Sequence, residues 1–550
     1  MLSTVPSATP TRAALVSGLS RGDHGVLSSL RTHIVKTKDD EGVCRPVQRV
    51  SQVSVRSPYM TARAVRADEQ GSSVEDAKTV QIISNVMNAV ELEWQTIADE
   101  MGVRIAAAGE DVSEGEQELR HHVIKSIEML QAGLLERDME VRLMLLAALC
   151  GEHLLLLGPP GTAKSELSRR LSSLTGGVYF ERLLTRFSVP EELFGPLSIK
   201  GLEQDEYTRK TDGYLPTAEV AFIDEIFKAN SAILNALLTL LNERLFDNGA
   251  ERLPVPLLCL VGASNELPES EELDALYDRF LIRKSVDQVS KGQLANLARL
   301  ASGGMAPYAS SDDHATYLSL DDFKYTGARA IEAVDISDEM IDLLTELRNY
   351  LQDKCEPPIY VSDRRFMKAV NLMQVAAYAD GRSQVSESDC LLLEYVMGNK
   401  PDDSEKVRRK VLDILASDIG MQQCELLFLG LFGRSCNALE QGDGEDIAAI
   451  LNDCRNLNDI LVSRLENVRE SVELDFPHLK SSIWLSNANV NSAIQFLSPH
   501  AEENKSKLED MVKETLILQN ALANKVEGGI LEKLLPKRFK QYQKGIADKA

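Results

Sequence analysis

The sequence predicts an α/β domain built on a central parallel sheet, followed by an all-helical lid and a helical C-terminal region. Three observations carry that reading. Between Gly151 and Ile282, short apolar runs alternate with helical or loop stretches: His153–Leu157, Val178–Leu184, Val220–Ile223, Leu257–Val261 and Phe280–Ile282. On either side of this stretch the apolar period is helical. The first apolar run passes through Gly158-Pro159-Pro160-Gly161-Thr162-Ala163-Lys164-Ser165 into the helix-prone Glu166–Leu174, a strand–turn–helix junction.

In chain order, residues 1–67 stand apart in composition, with ten Arg or Lys against four acids (Asp23, Asp39, Asp40, Glu41) and no sustained apolar face. That is the make-up of an organellar transit peptide, with Val65-Arg66-Ala67 before Asp68-Glu69 as the expected processing site. Residues 68–116 read as a helical segment, its apolar positions Val80, Ile83, Val86, Val90, Trp94 and Ile97 at helical spacing, and a linker rich in Gly, Glu and Asp. Residues 117–310 form the α/β domain, opened by two helices before Gly151, with an excursion at 185–216. Residues 311–400 read as a connection (Ser302–Asp335 is rich in Ser, Asp, Gly and Tyr) and a helical lid, and 401–550 as a helical domain. Within it, Ile447, Ile450, Cys454, Leu457, Leu461, Leu465, Val468 and Val472 follow a near-heptad spacing and predict one long packed helix over Glu445–Leu474. The basic stretch from Leu531 to Lys549 reads as a solvated helix face, with docking to an acidic partner as the alternative.

The net charge of −24 argues against a protein that tracks nucleic acid, and no run reaches the ~18 apolar residues of a membrane span. Eight scattered cysteines without C-x-x-C spacing read as buried free thiols rather than a zinc site.

The chemistry concentrates at strand ends. The glycine-rich turn at 158–165 offers several backbone N–H groups and a helix N-terminus, which suits a polyphosphate. Lys164 is placed to reach the β/γ-phosphates, and the Ser165 hydroxyl to ligate Mg²⁺. Ala163 stands where this motif usually has its second glycine, a departure tolerable if its φ is negative. The strand Val220–Ile223 ends in Asp224 and Glu225, suited to hold Mg²⁺ and to polarise an attacking water, respectively. Asn265, at the end of the next apolar run, is placed to orient that water or contact the γ-phosphate. Arg279 precedes the last strand and suits a neighbouring subunit's site, with Arg283 as alternative. Arg364 opens a helix and would fold over the phosphates from the lid, with Arg365 as the fallback.

Together these motifs resemble the AAA+ ATPases of the MoxR group, and within it the RavA type. The matching segments are LLERDMEVRLMLLAALCGEHLLLLGPPGTAKS, TRFSVPEELFGPLSIKGLE, TDGYLPTAEVAFIDEIFKA, ILNALLTLLNERLFDNG, GASNELPE, ALYDRFLIR and YVSDRRFMKAVNLMQ, spanning about residues 117–400. The resemblance implies an AAA+ fold binding ATP and Mg²⁺, with Lys164 and Ser165 in Walker A and Asp224 and Glu225 in Walker B. It further implies Asn265 as sensor 1, Arg279 as arginine finger and Arg364 as sensor 2. By the same resemblance, 185–216 is a helix-2 insert projecting as a hairpin toward a ring pore.

The resulting expectation is a ring-forming, usually hexameric ATPase that remodels or matures a protein client, in the chloroplast stroma or else the mitochondrion. A von Willebrand factor A-domain partner would act in trans, since the chain has no D-x-S-x-S run. The competing readings are a magnesium-chelatase-like motor subunit and a nucleotide-gated scaffold without turnover.

Overall fold

The computed structural model describes residues 74–108, 117–302, 317–417, 419–441 and 444–547. The expected transit peptide, the linker at 109–116 and residues 303–316 of the expected connection lie outside the described residues. Two helices, α1 (Val74–Ala108) and α2 (Gln117–Gln131), precede α3 (Asp138–Leu149) and the first strand, β1 (Leu154–Leu157). Then follow α4 (Lys164–Thr175), β2 (Tyr179–Leu183), the short α5 (Pro190–Phe194) and α6 (Ile199–Leu202), β3 (Val220–Asp224) and α7 (Ser231–Glu243). The hairpin β4 (Leu245–Asn248) and β5 (Glu251–Pro254) leads to β6 (Cys259–Ser264), α8 (Glu271–Tyr277), β7 (Ile282–Ser285) and α9 (Leu294–Ala301).

Five strands form one parallel sheet in the order β2–β3–β6–β1–β7. Side chains alternate across a strand, and on the central strands β1, β3 and β6 both faces are covered, so these are buried almost throughout rather than alternating. On one face Leu154, Leu156, Val220, Phe222, Val261 and Ala263 pack with α3 and α4. On the other, Leu155, Leu157, Ala221, Ile223 and Leu260 pack with α7 and Leu276 of α8. The expected strands exist with ends moved by up to three residues.

The lid is α10 (Leu320–Ala333), α11 (Asp338–Asn349), α12 (Asp363–Ala379), α13 (Glu387–Cys390) and α14 (Asp403–Ala416). Its apolar residues share one core with α3 and the sheet face above. Helix α10 corrects the reading of Ser302–Asp335 as a plain connection; Ser319 and Asp322 form a reciprocal capping box at its start. The C-terminal domain holds α15 (Ile419–Gln441), α16 (Gly444–Glu473), α17 (Pro477–Ser481), α18 (Asn487–Ala523), α19 (Gly528–Leu534) and α20 (Pro536–Ala547). The heptad-spaced positions of α16 from Ile447 to Leu465 are buried against α15 and α18. Helix α1 joins the same core through Val86, Val90 and Met101, so the segment read as separate closes the bundle from the other end of the chain. The basic terminal stretch is no free tail within the described residues. Leu531, Leu534 and Leu535 are buried, and Arg538 donates to Glu514 at 2.7 Å.

The insert corrects a second expectation. Over 185–216 the chain makes α5, α6 and a single antiparallel bridge, Leu197 to Arg209, rather than a strand hairpin. The hairpin lies downstream at β4–β5, turned by Gly249-Ala250 with Gly249 at φ +68°, the two-residue turn that needs glycine first. Asn248 ties the two together: its Oδ1 accepts from Arg209 N at 2.6 Å and its Nδ2 donates to Arg209 O at 3.1 Å.

His153, just before β1, is buried and bridges three elements. Its Nδ1 accepts from Leu260 N at 3.1 Å, and its Nε2 lies 3.3 Å from Leu241 O and 2.8 Å from the Arg244 guanidinium. Burial, then the Arg244 charge, pushes its pKa well below 6.5. The folded protein therefore keeps His153 neutral while the unfolded chain protonates near 6.5, so stability falls as pH drops below that value. His153→Ala should cost about 1–3 kcal/mol by orphaning the Leu260 amide. Denaturant melts at pH 7.5 and 5.5 should show a smaller acid loss in the variant than in the wild type.

Candidate active site

Because the five strands are parallel, whatever follows a strand gathers at one edge of the sheet. Leu157 pairs in register with Ser264, Ile223 with Gly262 and Leu183 with Asp224. The turn after β1, the acids at the end of β3 and Asn265 after β6 therefore meet. Gly158 N donates to Ser264 O at 3.0 Å, joining the turn to β6. A Cβ on Gly158 would stand 2.1 Å from the Val286 carbonyl oxygen, so only glycine fits. Pro159 and Pro160 carry the chain outward, and the Pro159 carbonyl accepts from Thr162 Oγ1 at 3.0 Å. Gly161 sits at φ +78°. Ala163 is at φ +66°, ψ +22°, which overturns the expectation of a negative φ: it occupies the left-handed region its missing glycine would favour. A left-handed residue followed by a right-handed helix start is the backbone form that turns successive N–H groups into an anion-binding concavity.

Lys164 starts α4, with Ser165 beside it in the first turn. Lys164 Nζ donates to the Gly158 and Pro159 carbonyls at 2.5 and 3.1 Å and lies 3.5 Å from Asn265 Oδ1. Asn265 Nδ2 in turn donates to Glu225 Oε1 at 2.7 Å, and Glu225 Oε2 pairs with Lys228 at 3.1 Å. Glu225 is itself left-handed, φ +53°, the kind of local strain that collects at functional sites. Burial lowers the pKa of Lys164, against the opposing pull of Asp224 and Glu225. Burial likewise raises that of Asp224, whose Oδ1 accepts from Glu225 N at 3.0 Å. A desolvated carboxylate beside the Ser165 turn is a donor set that fits a hard divalent cation.

The structure sorts the four arginines. Arg283, the alternative finger, is buried and spends its nitrogens on the carbonyls of Phe280, Gly398 and Tyr277 at 3.2, 3.0 and 3.0 Å, with its guanidinium over the Tyr277 ring. Arg365, the fallback lid residue, is buried too, donating to Val396 O at 2.9 Å and Asp278 at 2.7 Å. Both hold the fold. Arg279 makes only a 3.8 Å contact to Asp278, and its Nε is buried with no partner among the described residues. Burial is the chief cause lowering the pKa of Arg279, Lys368 and His153, and the Arg364 charge adds to it in all three. Ile282 pairs with Leu154 and its N donates to His153 O, so Arg279, three residues earlier, lies toward the His153 end of β1, about a strand length (~15 Å) from the glycine-rich turn. Arg364 adjoins Arg365, which reaches Asp278 beside Arg279.

Two contributors escaped the sequence reading. Lys228 was visible only as the third residue after Glu225. Arg137 bonds to the turn itself across 25 residues, a contact no local pattern announces.

Residues 118–324 match the family model described as the MoxR domain in the MoxR-vWA-beta-propeller ternary systems, and residues 339–411 match an AAA lid domain. An uncharacterised protein of Methanocaldococcus jannaschii is 43% identical over 303 residues, covering 54% of this chain and 78% of that protein. The chain belongs to the MoxR family of AAA+ ATPases. A second uncharacterised M. jannaschii protein matches this MoxR chain at 43% over 298 residues, 54% of it and 75% of the relative. Chaperone MoxR1 of Mycobacterium tuberculosis is 28% identical over 170 residues, 30% of this chain and 44% of that one.

The two lid arginines should separate in stability measurements. Arg365→Ala should cost about 2–3 kcal/mol, discounted from a fully buried pair because Asp278 is half-exposed. Arg364→Ala should stay within about 0.5 kcal/mol of wild type in urea denaturation.

Proposed function

We propose that this MoxR-family chain hydrolyses ATP at a site completed by a second copy and uses the cycle to remodel or mature protein clients. The observation that supports this most is the separation of parts: Lys164, Asp224, Glu225 and Asn265 at one edge, with Arg279 and Arg364 toward the other. A triphosphate on the turn would be cradled by the amides of 161–165 and met by Lys164. Ser165 and Asp224 would hold Mg²⁺, which when bound would neutralise charge on the phosphates. Asn265 orients the Glu225 carboxylate, which takes the proton of the attacking water. Arg279, and Arg364 beside it, would come from the neighbouring copy to stabilise charge on the transferring phosphoryl group.

The match to a MoxR domain of vWA-containing systems, and a relative named as a chaperone, support a von Willebrand factor A-type partner and a protein client. A closed ring, hexameric by the habit of AAA+ proteins, is the assembly this arrangement favours. The basic, acid-poor residues 1–67 support import into an organelle, the chloroplast stroma first.

Glu225→Gln should keep ATP binding and lose hydrolysis, whereas a scaffold without turnover would show no change in phosphate release. Arg279→Ala should lower kcat by roughly 10³-fold. Mixing Lys164→Ala chains, which keep Arg279, with Arg279→Ala chains, which keep the phosphate site, should restore turnover that neither has alone. A mixture as inactive as its components would remove the shared site.

A further inference from the structure

We infer that Arg137 is a positioning residue of the phosphate-binding turn, fixing the Thr162–Ala163 peptide so that Ala163 can stand where a glycine is expected; this rests on the nucleotide reading above.

Arg137 is the residue before α3 and does not cap it with its side chain. Its guanidinium goes elsewhere: Nε donates to Thr162 O at 3.1 Å, and the two terminal nitrogens donate to Glu136 O and Asp287 O, each at 2.6 Å. The side chain is buried, and it pairs with no carboxylate among the described residues. Every direct hydrogen bond of this buried guanidinium goes to a backbone carbonyl, so it acts on the main chain it touches, and one of those carbonyls belongs to the turn built for anions. The anchor is held in turn. Glu136 sits at φ +54°, and its carboxylate accepts from Ser290 N at 2.7 Å and Ser290 Oγ at 2.5 Å. Val286, one residue before Asp287, donates to Leu157 O at 2.7 Å and carries the carbonyl that presses on Gly158. Arg137 thereby clamps both ends of the turn, Gly158 through the chain after β7 and Thr162 directly.

The consequence follows from peptide geometry. In a trans peptide the carbonyl and the N–H of the next residue point to opposite sides. With Thr162 O drawn outward to Arg137, the Ala163 N–H faces inward, toward the concavity before α4. Ala163 pays for its left-handed φ, where an alanine is less at ease than a glycine, and without a clamp the 162–163 peptide would turn over to relieve it. Turned over, it would present a carbonyl oxygen to a phosphate instead of an N–H. The arginine and the alanine are therefore coupled: the clamp replaces the conformational freedom that glycine would supply.

The test is a double-mutant cycle on the full chain, read by titration with a fluorescent ADP analogue and Mg²⁺, with thermal unfolding in parallel. Arg137→Ala should weaken ADP binding at least about tenfold, and Arg137→Lys, which keeps the charge and one donor, should recover part of it. In an Ala163→Gly background the same Arg137→Ala loss should shrink about fivefold, because glycine holds the left-handed turn unaided. A residue that merely supports the fold would give equal losses in both backgrounds, and equal losses would overturn the inference. So would wild-type ADP affinity in Arg137→Ala. If Arg137→Ala does not fold, the cycle run with Arg137→Lys decides by the same criterion of unequal or equal losses. Wild-type protein that binds no ADP would defeat the nucleotide site itself, while tight binding by wild type and variants alike would defeat only the clamp.

Discussion

The parallel alignment of β1, β3 and β6 is the constraint from which the functional geometry descends. Strands of one polarity put their exits at one edge and their entrances at the other. Gly158, Glu225 and Asn265 leave strands; His153 and Arg279 approach them. No side chain is long enough to cancel a separation of ~15 Å. On the proposed reading, a chain with its phosphate-binding and hydrolytic groups at one edge and spare arginines toward the other would be complementary to a copy of itself, head to tail. Such heterologous contacts close into rings when the rotation permits.

The remaining architecture keeps these edges in a fixed relation. The lid shares a core with α3 and the sheet, and Trp484, between α17 and α18, donates to Ala376 O at 2.8 Å, fixing the approach to α18 against α12. Helix α18 then runs about 55 Å. Its first part, through Leu497, packs in the lid core and its last, from Leu508, in the bundle core. Pro499 falls between the two, where the helix changes partners. Lys368 on α12 pairs with Glu152 at 2.5 Å, and Arg244 at the root of the β4–β5 hairpin donates to Gly151 O at 2.5 Å. Lid, strand entrance and hairpin thus meet at two consecutive residues, Gly151 and Glu152.

What the sequence reveals follows the range of the interaction. Strand exits are legible because apolar runs stop at Gly158, Asp224 and Asn265, and the helical C-terminal region is legible because periodicity is a local property. The choice between Arg364 and Arg365 is not local. Adjacent residues at a helix start point about 100° apart, and only the docking of α12 against Asp278 decides which is buried. The φ of Ala163 depends on Arg137 and is equally invisible along the chain. The β4–β5 hairpin is a different case: Gly249-Ala250 between two short runs is a turn signal, masked by the more conspicuous Gly and Pro residues of 185–216.

The claim that the site is shared between copies is tested most directly by the concentration dependence of turnover. Phosphate release per chain, measured over a hundredfold range of protein with ATP and Mg²⁺ saturating, should rise with the same midpoint as assembly followed by sedimentation. Constant activity per chain down to concentrations where the protein sediments as a monomer would contradict it.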